Sequence, residues 1–151
     1  MIVTAYRSPK GSLDNFIRNI DNLLFNLKFE TLFLCGDFNI DFSSNSKSTK
    51  LMQSRQFLDL TAAYGLQATI TEATRVTKTS STIIDNIFTN LSEKDRTAYV
   101  QDPGISDHKS QIIIAKVLSQ SQRHEVKSIN KMIRKYNDQS LVKMQVPNRK
   151  L

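Results

Sequence analysis

The apolar positions of this chain follow two periods. "MIVTAY" (Met1–Tyr6) is short, apolar and β-branched, the pattern of a strand, and "RSPKGS" supplies a turn after it. Leu13, Phe16, Ile17, Ile20, Leu23, Leu24 and Leu27 then recur at helical spacing, which predicts a helix to about Lys28. Ser12 is placed to cap it, with Asp14 in its first turn. "TLFLC" (Thr31–Cys35) is a continuous apolar run, the pattern of a strand covered on both faces. After the polar loop "SSNSKST" a second helix is expected over Lys50–Ala63, with Leu51, Leu58 and Ala62 on one stripe and Gly65 as its stop. "LQATI" reads as a short strand and Thr71–Thr82 as a polar loop. Ile83–Asn90, Thr97–Gln101 and Ser110–Leu118 complete the strands. Strands and helices are mixed and no internal repeat is visible, so the class is α/β.

From Ser119 onward the apolar periodicity stops. "NDQSLVKMQ" reads as at most a short helix capped by Asn137, with too little apolar surface to anchor itself. This places a domain over 1–118 and a basic, mostly polar tail or linker over 119–151. Charge sharpens that division. The 151 residues carry a net +7. Residues 116–151 hold nine Lys/Arg against two Asp/Glu, whereas residues 1–115 hold twelve of each. A basic tail attracts phosphate polymers; a solvated linker is the plainer reading. No run of 18 apolar residues suggests a membrane span, and the N-terminus lacks the layout of a secretory signal. The single cysteine, Cys35, cannot form an internal disulfide, and no Cys/His group has zinc spacing. An intracellular, reducing location is compatible with this usage.

Candidate chemistry begins where the apolar run stops, in "LFLCGDFNIDF" (Leu32–Phe42). In an extended chain residues i and i+2 point the same way, so Asp37 and Asn39 would face one side and Phe38 the other. Gly, Asp and Asn are also turn formers, and a plain turn explains the tripeptide. Asp85 lies within a strand, flanked on its face by Ile83 and Ile87. A carboxylate there needs a partner, either a local backbone group or serine or something further away. "GISDHKS" (Gly104–Ser110) offers Ser106, Asp107 and His108. An imidazole held by a carboxylate suits a general base or a phosphate-binding cation; a cap explains Ser-Asp equally well. Of the two histidines, His124 lies in the polar tail, so His108 is the better catalytic candidate. Tyr6 closes the first strand beside Arg7, and alone reads as a strand-end aromatic in water.

Taken in order, "YRSP", "FLCGDFNIDF", "TRVTKTSSTIIDNIFTN" and "GISDHKSQI" resemble the endonuclease/exonuclease/phosphatase superfamily, in particular the apurinic-type endonuclease domain of non-LTR retrotransposons. The resemblance covers about Ile2 to Val117. It implies a two-sheet α/β sandwich of the deoxyribonuclease I-like type. It also implies hydrolysis of phosphodiesters with Mg2+ or Mn2+. Asp37 would orient or deprotonate the attacking water, and Asn39 would help hold the phosphate. His108, oriented by Asp85, would contact the scissile phosphate; Tyr6 would bond it; Asp107 would sit on the metal side. Arg7, Arg75 and Lys78 would contact nucleic acid. The implied partners are DNA and, through "INKMIRKYNDQSLVKM", a reverse transcriptase domain in a longer parent protein; the implied location is intracellular and nuclear.

Intact members of that superfamily carry an earlier half-domain with an Asn and a metal-binding Glu. Glu30, Glu72, Glu93 and Glu125 do not fit that role, so the chain reads as N-terminally truncated. The expectation that follows is exposed apolar surface and a bare strand edge. A DNA-nicking endonuclease is the first functional expectation. A non-catalytic nucleic-acid-binding remnant and a phosphatase of the same superfamily are the alternatives.

Overall fold

The computed structural model describes residues 1–43, 48–116 and 141–145. In chain order its elements are β1 (Ile2–Tyr6), α1 (Leu13–Asn26), β2 (Phe33–Asp37), α2 (Ser48–Ala63), β3 (Gln67–Ala68), β4 (Arg75–Val76), β5 (Ser81–Thr82), β6 (Asp85–Thr89), a 3-10 turn (Glu93–Asp95), β7 (Arg96–Gln101), β8 (Ser110–Ala115) and β9 (Leu141–Gln145). Five strands form one sheet in the order β3-β6-β2-β1-β9. β1 and β2 run parallel, and the other neighbours are antiparallel. β4–β5 and β7–β8 are separate antiparallel pairs. Among the described residues, no helix is long and apolar enough to cross a membrane.

The helices close one face of the large sheet. Ser12 caps α1 by accepting the Asn15 N–H, and Phe16, Ile20 and Leu24 form its buried stripe. The expected stripe of α2 is wrongly rotated. Leu51 and Leu58 are only half-buried and Ala62 is exposed, while Ser54, Phe57 and Thr61 are buried. The Ser54 and Thr61 hydroxyls donate to the Leu51 and Leu58 carbonyls, each at 3.0 Å. Satisfied within their own helix, these small polar residues can face the core. Gly65, at φ 71°, ends the helix: its N–H and that of Leu66 donate to Ala62 and Thr61, the paired bonds of a Schellman stop. The core joins Val3, Ala5, Leu34 and Phe88 of the sheet to Phe16, Ile20, Leu24 and Phe57 of the helices.

The other face is less covered. Leu34 is fully buried, but Phe33 and Cys35 on the opposite side of β2 are only half-buried, and Ile2 is exposed. The expectation of cover on both faces therefore holds for one. The expected bare edge is different too. β9 pairs along all of β1, Ile2 to Gln145 through Tyr6 to Leu141. The helix expected at the end of "NDQSLVKMQ" is thus a strand at Leu141–Gln145. An unpaired edge offers a row of backbone donors and acceptors, and an extended segment satisfies them. The domain boundary expected near residue 119 and most of the tail lie outside the described residues.

Candidate active site

Strand register builds the site. Tyr6 pairs with Asp37 across β1 and β2, and Asp37 pairs with Asp85 across β2 and β6. Paired residues share a sheet face, so the three form one lateral row at the end of the sheet. Gly36, beside that row, is paired with Ala5. A Cβ at Gly36 would collide with the Ala5 carbonyl oxygen; only glycine lets the two strands approach there.

Asp37 is half-buried, and the next residue, Phe38, is fully buried. Phe38 lies within 5.1–6.3 Å, ring centre to ring centre, of Phe57, Phe88, Phe42 and Phe16. The carboxylate is thus carried by a backbone pinned through an aromatic core. Beyond Phe38 the strand geometry ends. Asn39 takes φ 48°, its N–H donates to Asp37 Oδ1 at 3.0 Å, and its side-chain Nδ2 donates to the Arg7 carbonyl at 2.7 Å. The turn reading of "GDFN" is therefore also true: an Asx-type turn fixes the Asp37 carboxylate. Asn39 reaches the site through the turn rather than by strand alternation.

Asp85 is only 6% exposed, and its partner is His108. Nδ1 of His108 lies 3.0 Å and 3.2 Å from the two carboxylate oxygens. A carboxylate can only accept, so Nδ1 carries the proton and Nε2 is left for another partner. Side-chain ligand atoms of Asp37, Asp85 and His108 all lie within 4.8 Å of one another. Burial first, and then the Asp85 charge, hold the Asp37 carboxyl above its ordinary value of 3.8; the Asn39 bonds and His108 pull the other way.

The remaining candidates fall around this centre. Tyr6 stands at the β1 end of the row, 41% exposed. Ser106 brackets the histidine, accepting the His108 N–H at 3.0 Å and donating to its carbonyl at 3.1 Å. Asp107, expected on the metal side, lies outside the Asp37–Asp85–His108 group. Its Oδ2 accepts from Arg75 Nε at 2.7 Å on the surface, and that bond keeps its carboxyl below the usual range. Lys78 is exposed between β4 and β5, where Thr77 N–H donates to the Ser80 carbonyl. Arg7, expected to touch nucleic acid, is only 7% exposed. Its guanidinium turns inward to carbonyls of Phe38 and Asn39 after β2 and of Gly11 before α1.

Thr74 escaped the sequence reading. It is fully buried, and its hydroxyl accepts the N–H groups of Ile84 and Asp85, each at 3.1 Å. Its carbonyl accepts the Lys109 N–H at 2.7 Å. One threonine thus ties the backbone of Asp85 to that of the residue after His108. Nothing in "TEATRVTKTSST" marks it among six other threonines and serines.

A helix-backed sheet whose end carries an acid row, with an imidazole locked to the innermost acid, has the layout of deoxyribonuclease I-like α/β domains. Two solved structures share the fold. The endonuclease domain of TRAS1, a telomere-specific non-LTR retrotransposon, matches with a TM-score of 0.58 at 16% identity, covering 76% of this chain and 56% of that one. An endonuclease/exonuclease/phosphatase family protein from Leptotrichia buccalis C-1013-b matches with a TM-score of 0.51 at 20% identity, covering 68% and 43%. The chain thus spans about half the length of these structures. No curated protein matches it by sequence. The family model described as endonuclease-reverse transcriptase matches residues 1–112. The chain belongs to that family, within the endonuclease/exonuclease/phosphatase superfamily.

Proposed function

We propose that this chain carries the catalytic face of a retrotransposon-derived endonuclease that nicks DNA by metal-dependent phosphodiester hydrolysis. The observation that carries this reading is the convergence of Asp37, Asp85 and His108 within 4.8 Å, drawn from three distant parts of the chain. Family membership supports it.

The donor set fits a hard dication at its carboxylates. Asp37 and Asp85 offer oxygens, and the burial and the Asp85 charge that together raise Asp37 are what a cation would offset. Asp37 and Asp85 would hold Mg2+ or Mn2+, with water filling the other positions. Such an ion supplies charge stabilisation for phosphodiester oxygens. The chain's own groups do the rest. Asp37 orients a water and draws its proton. His108, held by Asp85, presents Nε2 to a non-bridging or leaving oxygen; as the imidazolium, with a proton on each ring nitrogen, it donates there, where a fixed donor counts most as charge develops. The Tyr6 hydroxyl and the second N–H of the Asn39 amide are donors at the rim. Lys78 and Arg75 approach the nucleic-acid backbone from the β4–β5 hairpin. The parent protein joins this domain to a reverse transcriptase and acts in the nucleus.

The test is nicking of supercoiled plasmid with Mg2+. The chain converts plasmid to open circles, chelation stops it, and Asp37→Asn and His108→Ala each lower the rate by about 10²–10⁴-fold. Salt-dependent DNA binding without nicking would instead mark a binding domain. Turnover of a small phosphate ester without nicking would mark a phosphatase.

A further inference from the structure

We propose that Arg7 is a positioning residue for the site: its buried guanidinium locks the Asp37–Asn39 turn in the shape that aims the Asp37 carboxylate. The inference rests on the endonuclease reading for its catalytic consequence, though not for its structural part.

Arg7 immediately follows β1, and its backbone continues the β1–β2 ladder: the Arg7 N–H donates to the Asp37 carbonyl at 3.0 Å. Its guanidinium then crosses to the far side of the turn. Nε donates to the Phe38 carbonyl at 2.8 Å, Nη2 to the Asn39 carbonyl at 2.5 Å, and Nη1 to the Gly11 carbonyl at 2.8 Å. The Asn39 amide answers by donating to the Arg7 carbonyl at 2.7 Å. Two loops, one after β1 and one after β2, are clasped from both sides.

The clasp spans a left-handed turn. Asn39 sits at φ 48°, a left-handed conformation that is uncommon outside glycine and that asparagine takes up when local hydrogen bonds favour it. That kink carries the Phe38 and Asn39 carbonyls to one guanidinium, and it places the Asn39 N–H 3.0 Å from Asp37 Oδ1. The planar fork of arginine can reach three carbonyls at once without losing its proton. A lysine ammonium is a point charge on a flexible stem and cannot span the same set. A phosphate-contacting arginine would keep its head in solvent; this one is 7% exposed. Arg7 thus acts on the chemistry through Asp37, without touching substrate.

The test uses the full chain with Arg7→Lys and Arg7→Ala. By NMR, exchange of the Asn39 amide should quicken about tenfold or more in Arg7→Lys, while the Leu34 and Phe88 amides stay as in wild type. In plasmid nicking, kcat should fall about 10–100-fold with KM within about twofold. Millimolar guanidinium ion should restore part of the Arg7→Ala rate. A general loss of stability would instead speed exchange everywhere and gain nothing from added guanidinium. Unchanged Asn39 exchange overturns the proposal. So does a raised KM with intact kcat and a shallower salt dependence, the mark of a phosphate contact. If the wild-type chain does not nick, the endonuclease reading fails alone, and the exchange data still decide whether Arg7 holds the turn.

Discussion

The two faces of the five-stranded sheet are made from the same strands and obey opposite rules. On the helix side Val3, Ala5, Leu34 and Phe88 are buried against α1 and α2. On the other side register sets out three lateral rows: Ile2–Phe33–Thr89, Thr4–Cys35–Ile87 and Tyr6–Asp37–Asp85. Polarity rises along them toward the strand end, and cover thins from β6, fully buried, to β1, where Ile2, Thr4 and Tyr6 are exposed. The difference shows how rigidity is lent to a site. Because side chains alternate across a strand, each residue that faces the chemistry is neighbour to one sunk in the core. Asp37 next to Phe38 is the clearest case.

That dependence can be broken from the core side. Phe38→Ala removes the ring that meets four other phenylalanines and should cost about 3–5 kcal/mol, read as a lowered urea midpoint. Nicking measured well below the melting temperature should fall as well, though no atom of the row is altered. Full activity in a destabilised Phe38→Ala chain would show that the site does not borrow its rigidity from the aromatic cluster. Gly36→Ala attacks the contact between β1 and β2 instead. The added methyl runs into the Ala5 carbonyl, and separating the strands should cost about 1–3 kcal/mol. A chain as stable as wild type would mean that the row tolerates a wider strand spacing.

The covered face was the more legible one in the sequence. α1 announced itself through a capping serine and seven apolar residues at helical spacing, and β2 through an unbroken apolar run. Asp85 was legible as a carboxylate needing a partner, and His108 is the partner the structure supplies. The losses share a cause. The α2 stripe was misplaced because Ser54 and Thr61 look like surface residues until their hydroxyls are seen bonded to their own helix. The β4–β5 hairpin has two-residue strands with no apolar alternation, and it is held by bonds to the Asp107 carbonyl and from the Lys109 N–H, more than 30 residues away. Arg7 reads as a surface cation because two of its acceptors, the Phe38 and Asn39 carbonyls, lie in another loop. β9 forms because β1 offers an edge. Each depends on partners remote in sequence, which periodicity does not register.

The open face can be sharpened by titration. Burial and Asp85 raise the Asp37 carboxyl above 3.8, so the folded state binds this proton more tightly than the unfolded one. Its contribution to stability is greatest below 3.8 and is lost as pH rises through the folded-state value. Asp37→Asn removes a like charge from beside Asp85. The variant should therefore have a higher urea midpoint than wild type at pH 7, with the gap closing as pH falls below the ordinary carboxylate range. The same variant should nick far more slowly, so stability and activity move in opposite directions, as they do where function keeps a strained group. An Asp37→Asn chain less stable than wild type at pH 7 would mean that the Asn39 and His108 interactions outweigh burial, and that the row is a structural feature.

Tyr6 separates the two faces most finely, because it belongs to the row without leaning on the core. Tyr6 is 41% exposed, and β1 holds its place through Val3 and Ala5, which lie on the buried side. Tyr6→Phe should therefore leave the urea midpoint unchanged within about 0.5 kcal/mol. Its effect should appear only where the hydroxyl is used. If the phenol donates to a developing oxyanion, kcat falls by about 10- to 100-fold with KM little altered. If it only packs beside Asp37, both constants stay at wild-type values, and the useful part of the row narrows to Asp37, Asp85 and the imidazole that Asp85 holds.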